Sequence, residues 1–124
     1  MPKTFREAVN EAKERISETS ATDLIRRRDA GESLLVVDVR EPEDYREGHI
    51  PGAVSVPRGV LEMRIDEVTT DEEHPIVCYC GGGSRSALSA RTLGEMGYRN
   101  VESLSGDLRG WREKGLPVEA TPDA

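Results

Sequence analysis

Cys80 is followed by Gly81, Gly82, Gly83, Ser84 and Arg85, and it is preceded by the short apolar run Ile76-Val77-Cys78-Tyr79. A cysteine at the carboxyl end of a strand, then a glycine-rich turn and a helix start, make an anion-binding pocket with a nucleophile in it. Backbone N–H groups of the turn can all point inward, and the helix N-terminus adds partial positive charge. The glycines allow the backbone angles of a tight ring and let it approach a ligand closely. Arg85 brings a full positive charge to the same place. Such surroundings favour a cysteine thiolate, so Cys80 needs no histidine base to act as a nucleophile. The plain alternative is a strand-to-helix turn around a buried, inert cysteine, and three glycines and an arginine exceed what that turn requires.

Holding such a loop takes a strand before it and a helix after it, and the chain alternates the two almost throughout. Residues 34–38, Leu34-Leu35-Val36-Val37-Asp38, and residues 76–79 are apolar runs of the kind found in strands buried on both faces of a parallel sheet. Residues 53–56 and 101–104 predict further short strands, and another is expected around Ile16. Phe5, Ala8, Val9, Ala12 and Ile16 are spaced for an amphipathic helix over residues 4–16. Ser20 and Asp23 resemble a capping box for a helix that runs to about Ala30 and stops at Gly31. One helical turn starts near Pro42, and Leu61, Ile65 and Val68 space a short helix after Pro57. Residues 71–75 read as a polar loop. A helix from Ser86, with Ala87, Ala90 and Gly94 on one side, stops at Gly97, where Tyr98 folds back. Leu108 and Trp111 lie on a closing helix that Gly115 ends. The expected fold is an α/β sandwich with a mainly parallel sheet and helices on both faces. Ligands of such sheets sit beyond the carboxyl ends of the strands, where Cys80 and Asp38 both fall.

Composition excludes several classes. A chain of 124 residues is one domain by size and long enough for a core without disulfides or metal. Its net charge of −7 argues against nucleic acid and against an anionic membrane surface as partners. No aliphatic run approaches the length of a membrane span, and the N-terminus lacks an apolar signal core. Cys78 and Cys80, spaced C-x-C, suggest neither a disulfide framework nor a zinc site. A soluble, cytoplasmic protein without a metal is expected.

Three blocks, "VDVREPEDYREGHIPGAVSVP", "CYCGGGSRSAL" and "LSGDLRGW", in this order and spacing, resemble the rhodanese family of sulfurtransferases. The resemblance covers residues 19–118, which leaves 1–18 as an N-terminal amphipathic helix packed on the domain and 119–124 as a frayed tail. It implies a three-layer α/β/α rhodanese-like fold with a five-stranded mainly parallel sheet, and a six-residue active loop from Cys80 to Arg85. It further implies that the Cys80 thiolate takes the outer sulfur of a small donor such as thiosulfate as a persulfide. An acceptor, either cyanide, a small thiol or a protein thiol, then removes it. The loop residues Gly81, Gly82, Gly83, Ser84 and Arg85 would bind the substrate, with no cofactor. The chain departs from the family pattern at two places. Gly81 stands where many thiosulfate-using members have a basic residue, and the paired glycines before the tryptophan helix are replaced by Ser105-Gly106.

Asp38 and Arg40 flank the end of a buried strand, and the resemblance implies that they support the site by binding loop backbone and each other. Ser86 either donates its hydroxyl to the Cys80 sulfur or caps the helix, with capping the simpler reading. His49 reads as a turn-stabilising side chain, His74 as a surface residue and Cys78 as buried and inert. Arg58 lines the pocket entrance or is an ordinary solvated arginine. Three rival functions remain. Cysteine-dependent phosphatases use C-x5-R, whereas Arg85 completes C-x4-R. A non-catalytic module of the same fold often lacks the cysteine. A sulfur relay protein would use the same Cys80 chemistry. A P-loop is excluded, because the G-K-[ST] ending is missing.

Overall fold

A computed structural model describes residues 1–121. Strand β1 spans Ser17–Thr19, β2 Leu35–Asp38, β3 Val54–Ser55, β4 Ile76–Tyr79 and β5 Val101–Leu104. They form one sheet in the order β1-β5-β4-β2-β3, and every pair is parallel. The two continuous apolar runs become β2 and β4, which are fully buried and adjacent, with Val37 opposite Cys78 and Asp38 opposite Tyr79. Both lie inside the sheet, where a strand is covered on both faces and can be apolar on both.

Period-two alternation sorts their side chains. Leu35, Val37, Val39, Ile76, Cys78 and Cys80 pack with Leu61, Ile65 and Leu93 on one face. Val36, Val77 and Tyr79 pack with Leu24, Leu108 and Trp111 on the other. Helices α4 (Leu61–Arg64) and α5 (Ser84–Glu95) therefore cover one face, and α2 (Ala21–Asp29) and α6 (Asp107–Glu113) the other. Leu24, Leu61, Ile65 and Leu93 are all fully buried, each contributing about 1.5–3 kcal/mol relative to an exposed side chain.

Helix α1, Phe5–Arg15, lies outside α5, with Val9 and Ala12 packed on Ala87. A reciprocal capping box starts it: Thr4 and Glu7 each accept the other's N–H at 3.1 Å. At α2 only half of the expected box forms. Ser20 accepts the Asp23 N–H at 3.0 Å, but the Asp23 carboxylate turns outward to Arg26. The remaining helix, α3, spans Pro42–Glu47.

Several expectations are corrected. Helix α5 begins at Ser84, not Ser86, because Gly83 takes the left-handed turn at φ 105° and becomes the N-cap. The single helix expected after Pro57 is a 3₁₀ turn at Arg58–Val60, then α4, then a 3₁₀ turn at Ile65–Glu67. The expected boundary between residues 18 and 19 runs through β1, which pairs with β5, so the N-terminal segment supplies a strand of the sheet. Residues 119–121, expected to be frayed, are hydrogen-bonded to the fold. Glu119 exchanges two backbone bonds of 2.9 Å with His49, and the Thr121 N–H donates to the Arg46 carbonyl. The rest of that segment, residues 122–124, lies outside the described residues. Among the described residues no helix is long and apolar enough to cross a membrane.

Candidate active site

Cys80 is the first residue past β4 and its residue surface is 1% exposed. Its sulfur is not left to the core. The Gly83 N–H donates to Sγ at 3.1 Å and the Ser86 N–H at 3.4 Å. The N–H groups of Ser84 and Arg85, in the first turn of α5, have no acceptor within the helix. The loop thus curls its donors around one sulfur, and Gly83 makes the curl possible. Arg85 is half-buried beside them, and its side chain makes no ion pair among the described residues.

The first turn of α6 grips the loop from below. The Leu108 N–H donates to the Cys80 carbonyl at 3.0 Å and the Arg109 N–H to the Gly81 carbonyl at 3.3 Å. Asp107 accepts the Cys80 N–H on Oδ1 at 2.8 Å. Its residue surface is 4% exposed, and burial raises its pKa, offset in part by the Cys80 N–H. Sequence reasoning missed Asp107. The left-handed pair before the tryptophan helix is Gly106 (φ 81°) and Asp107 (φ 51°), not Ser105-Gly106. What paired glycines would supply is two successive positive φ angles, and an aspartate in the second position was the visible sign.

Ser86 does neither thing expected of it. Its hydroxyl donates to the Gly83 carbonyl at 3.4 Å, the cap is Gly83, and its backbone N–H is the group that meets the sulfur.

Asp38 and Arg40 bind each other in a two-pronged pair, 3.1 and 2.8 Å, and Arg40 also donates to the Gly48 carbonyl at 2.6 Å. Tyr79 donates its hydroxyl to Asp38 at 2.7 Å and accepts the Ile50 N–H at 3.1 Å. Burial opposes the Arg40 charge, yet its bonds to Asp38 leave its pKa raised. Burial, followed by the Asp38 charge, pushes the Tyr79 hydroxyl well above the ordinary tyrosine value. This network clamps the 48–50 turn to β2 and β4. None of these bonds reaches residues 80–85, so the expected contact to the loop backbone is not made.

The other candidates separate clearly. Cys78 is fully buried in the core, and burial, then the charges of Asp107 and Cys80, push its thiol up to about 12. His49 is buried, stacked on Tyr45 at 3.8 Å, with Nδ1 donating to the Tyr45 carbonyl at 2.7 Å. It holds a turn, away from Cys80. His74 is half-buried on the Thr69 hydroxyl at 2.9 Å rather than fully exposed. Arg58 is not an ordinary solvated side chain, since its Nε is buried without a partner. A cleft of about 490 Å³ at the amino ends of β1 and β5, lined by Arg15, Ala90, Gly94 and Tyr98 among others, holds none of the reactive residues. Cys80 lies at the opposite end of the sheet, past the carboxyl end of β4.

The family model for a rhodanese-like domain matches residues 20–114. A sulfurtransferase of Allochromatium vinosum is 32% identical over 105 residues, covering 85% of this chain and 96% of that protein. Among solved structures, a Rhodopseudomonas palustris protein described as a possible tyrosine phosphatase superposes with a TM-score of 0.84 at 34% identity, over 96% of this chain and 99% of that one. The polysulfide-sulfur transferase homodimer of Wolinella succinogenes superposes with a TM-score of 0.78 at 28% identity, over 94% and 87%. The chain spans less than half the length of two curated relatives that it matches, 45% and 42% of theirs.

Proposed function

The chain belongs to the rhodanese-like domain family, and from that membership we propose that it moves a sulfane sulfur from a donor to a thiophilic acceptor through a persulfide on Cys80. The observation that carries this reading is the pair of N–H groups, from Gly83 and Ser86, aimed at the Cys80 sulfur at 3.1 and 3.4 Å.

Two displacements complete the cycle. The Cys80 thiolate attacks the outer sulfur of thiosulfate, a Cys80 S–S bond forms, the donor S–S bond breaks, and sulfite leaves with the electron pair. Cyanide or a thiolate then attacks the terminal persulfide sulfur. That sulfur departs as thiocyanate or as the acceptor's persulfide, and the Cys80 thiolate returns. Negative charge sits on sulfur in both resting forms. N–H donors fixed before the reaction stabilise it without reorganising. Arg85 offsets the charge of an anionic donor. No step calls on a metal or organic cofactor. Thiosulfate is one candidate donor, and Gly81, which leaves that position without a cation, favours a persulfide donor such as glutathione persulfide. A protein thiol as acceptor would make the chain a sulfur relay.

The Rhodopseudomonas likeness favours a second reading, a phosphatase. The loop size argues against it. A persulfide projects one sulfur into the ring, whereas a phosphoryl group needs donors for three outer oxygens, and C-x4-R gives a ring one residue shorter than C-x5-R. The test is direct competition between activities. Thiocyanate production from thiosulfate and cyanide, lost in Cys80→Ser, is expected, with aryl phosphates left intact. Phosphate ester hydrolysis lost in Cys80→Ser, without sulfur transfer, would replace this reading with the phosphatase.

A further inference from the structure

Asp107 is the one non-glycine residue with a positive φ among the described residues. A side chain with a Cβ disfavours that conformation, although aspartate tolerates it better than most. The same residue buries a carboxylate, and burial opposes its charge. Two costs therefore meet at one position, and that position touches the nucleophile's own backbone. Strain that persists beside a reacting group points to a role in the reaction.

We propose that Asp107 is a positioning residue for sulfur transfer, holding the Cys80 N–H so that the sulfur stays under the donors of Gly83 and Ser86. The proposal rests on the sulfur-transfer reading of Cys80. Three successive residues grip the loop: the Asp107 carboxylate takes the Cys80 N–H, and the N–H groups of Leu108 and Arg109 take the carbonyls of Cys80 and Gly81. Only the first of these grips is made by a side chain, so it can be removed while every backbone donor is kept. The carboxylate also forms the wall behind the loop. Its Oδ2 lies 3.1 Å from where a Cβ on Gly83 would stand, which gives that position a second reason to be glycine besides its φ of +105°. The Lys13 ammonium of α1 lies 3.9 Å from the same point and favours the ionised carboxylate. The N-terminal helix is thereby tied to the site through charge.

The experiment compares the whole chain with Asp107→Gly and Asp107→Asn. Glycine relieves the left-handed strain and removes the acceptor, while asparagine keeps an acceptor oxygen. Thermal midpoint, kcat and KM for sulfur transfer, and exchange of the Cys80 amide proton by NMR are measured. Asp107→Gly should keep or raise the midpoint, lower kcat at least about tenfold with little change in KM, and expose the Cys80 amide to exchange. Asp107→Asn should restore most of kcat and the amide protection. Asp107→Gly with kcat within about twofold of the native protein overturns the proposal. So does joint loss of midpoint and kcat, or failure to fold, since the role is then structural. If the native protein transfers no sulfur, the functional reading fails alone. Cys80 amide exchange and the alkylation rate of Cys80 by iodoacetamide still decide the positioning role.

Discussion

Cys78 and Cys80 are two positions apart and point to the same side of β4, yet their chemistry differs because the strand ends between them. Cys78 is inside the core, where burial holds it as a thiol. Cys80 is where the backbone leaves the sheet and turns its N–H groups inward. Cys80→Ser should abolish sulfur transfer, since a hydroxyl cannot carry a transferable sulfur. Cys78→Ser should keep kcat and lose about 1–3 kcal/mol of stability through a buried hydroxyl. A folded but inactive Cys78→Ser protein would contradict the assignment of a single nucleophile. Asp107 adds a pH dependence at the same scale. Its pKa in the folded protein is raised above the ordinary value near 3.8. Between those two values the folded state holds more protons than the unfolded state, so stability falls as pH rises through that window and is fully retained below it. Denaturation midpoints of the native protein and Asp107→Asn should therefore diverge as pH rises from below 3.8 and run parallel above the raised value. Parallel curves throughout would contradict the burial of an ionising carboxylate.

At the scale of elements, the strands were the most legible part of the chain, because an apolar run of this length in a small domain has few alternatives to a buried parallel strand. The loop was equally legible, since three glycines between a strand and a helix leave little else to build. Less visible were features that depend on which backbone group a side chain meets. Ser86 works through its N–H, and sequence speaks only of its hydroxyl. Glu119 joins the fold because His49 lies opposite it, a pairing 70 residues apart that no local pattern reports. Asp38 and Arg40 lie at the end of β2 and pair with each other, and their further partners are Tyr79 and the 48–50 turn rather than the 80–85 loop. Replacing one partner of this buried pair, as in Arg40→Met, leaves Asp38 uncompensated and should cost about 3–5 kcal/mol. At a temperature where the variant stays folded, Cys80 should still carry sulfur, because the network makes no bond to the loop. A normal melting temperature for Arg40→Met would contradict the clamp.

The whole molecule is acidic, with a net charge of −7, yet Lys13 of α1, Arg85 of α5 and Arg109 of α6 stand around the loop without ion pairs among the described residues. Arg109 Nη2 lies 3.5 Å from where a Cβ on Gly82 would stand. Three helices from both sides of the sheet thus bring positive charge to one end of it, and this long-range convergence was absent from the sequence reading. Arg109→Gln should lower the alkylation of Cys80 by iodoacetate relative to neutral iodoacetamide by roughly two- to fivefold, the range of a screened surface charge. An unchanged ratio would remove Arg109 from the site.

The expectations about activity depend on sulfur becoming bonded to Cys80. Intact mass measured after incubation with thiosulfate, and separately with glutathione persulfide, followed by peptide mapping, tests that bond directly. Sulfur transfer through Cys80 predicts a gain of one sulfur atom on the peptide containing it, removed by cyanide and absent from Cys80→Ser. A folded native protein whose mass stays unchanged with both donors, or whose added sulfur maps to Cys78, would contradict it.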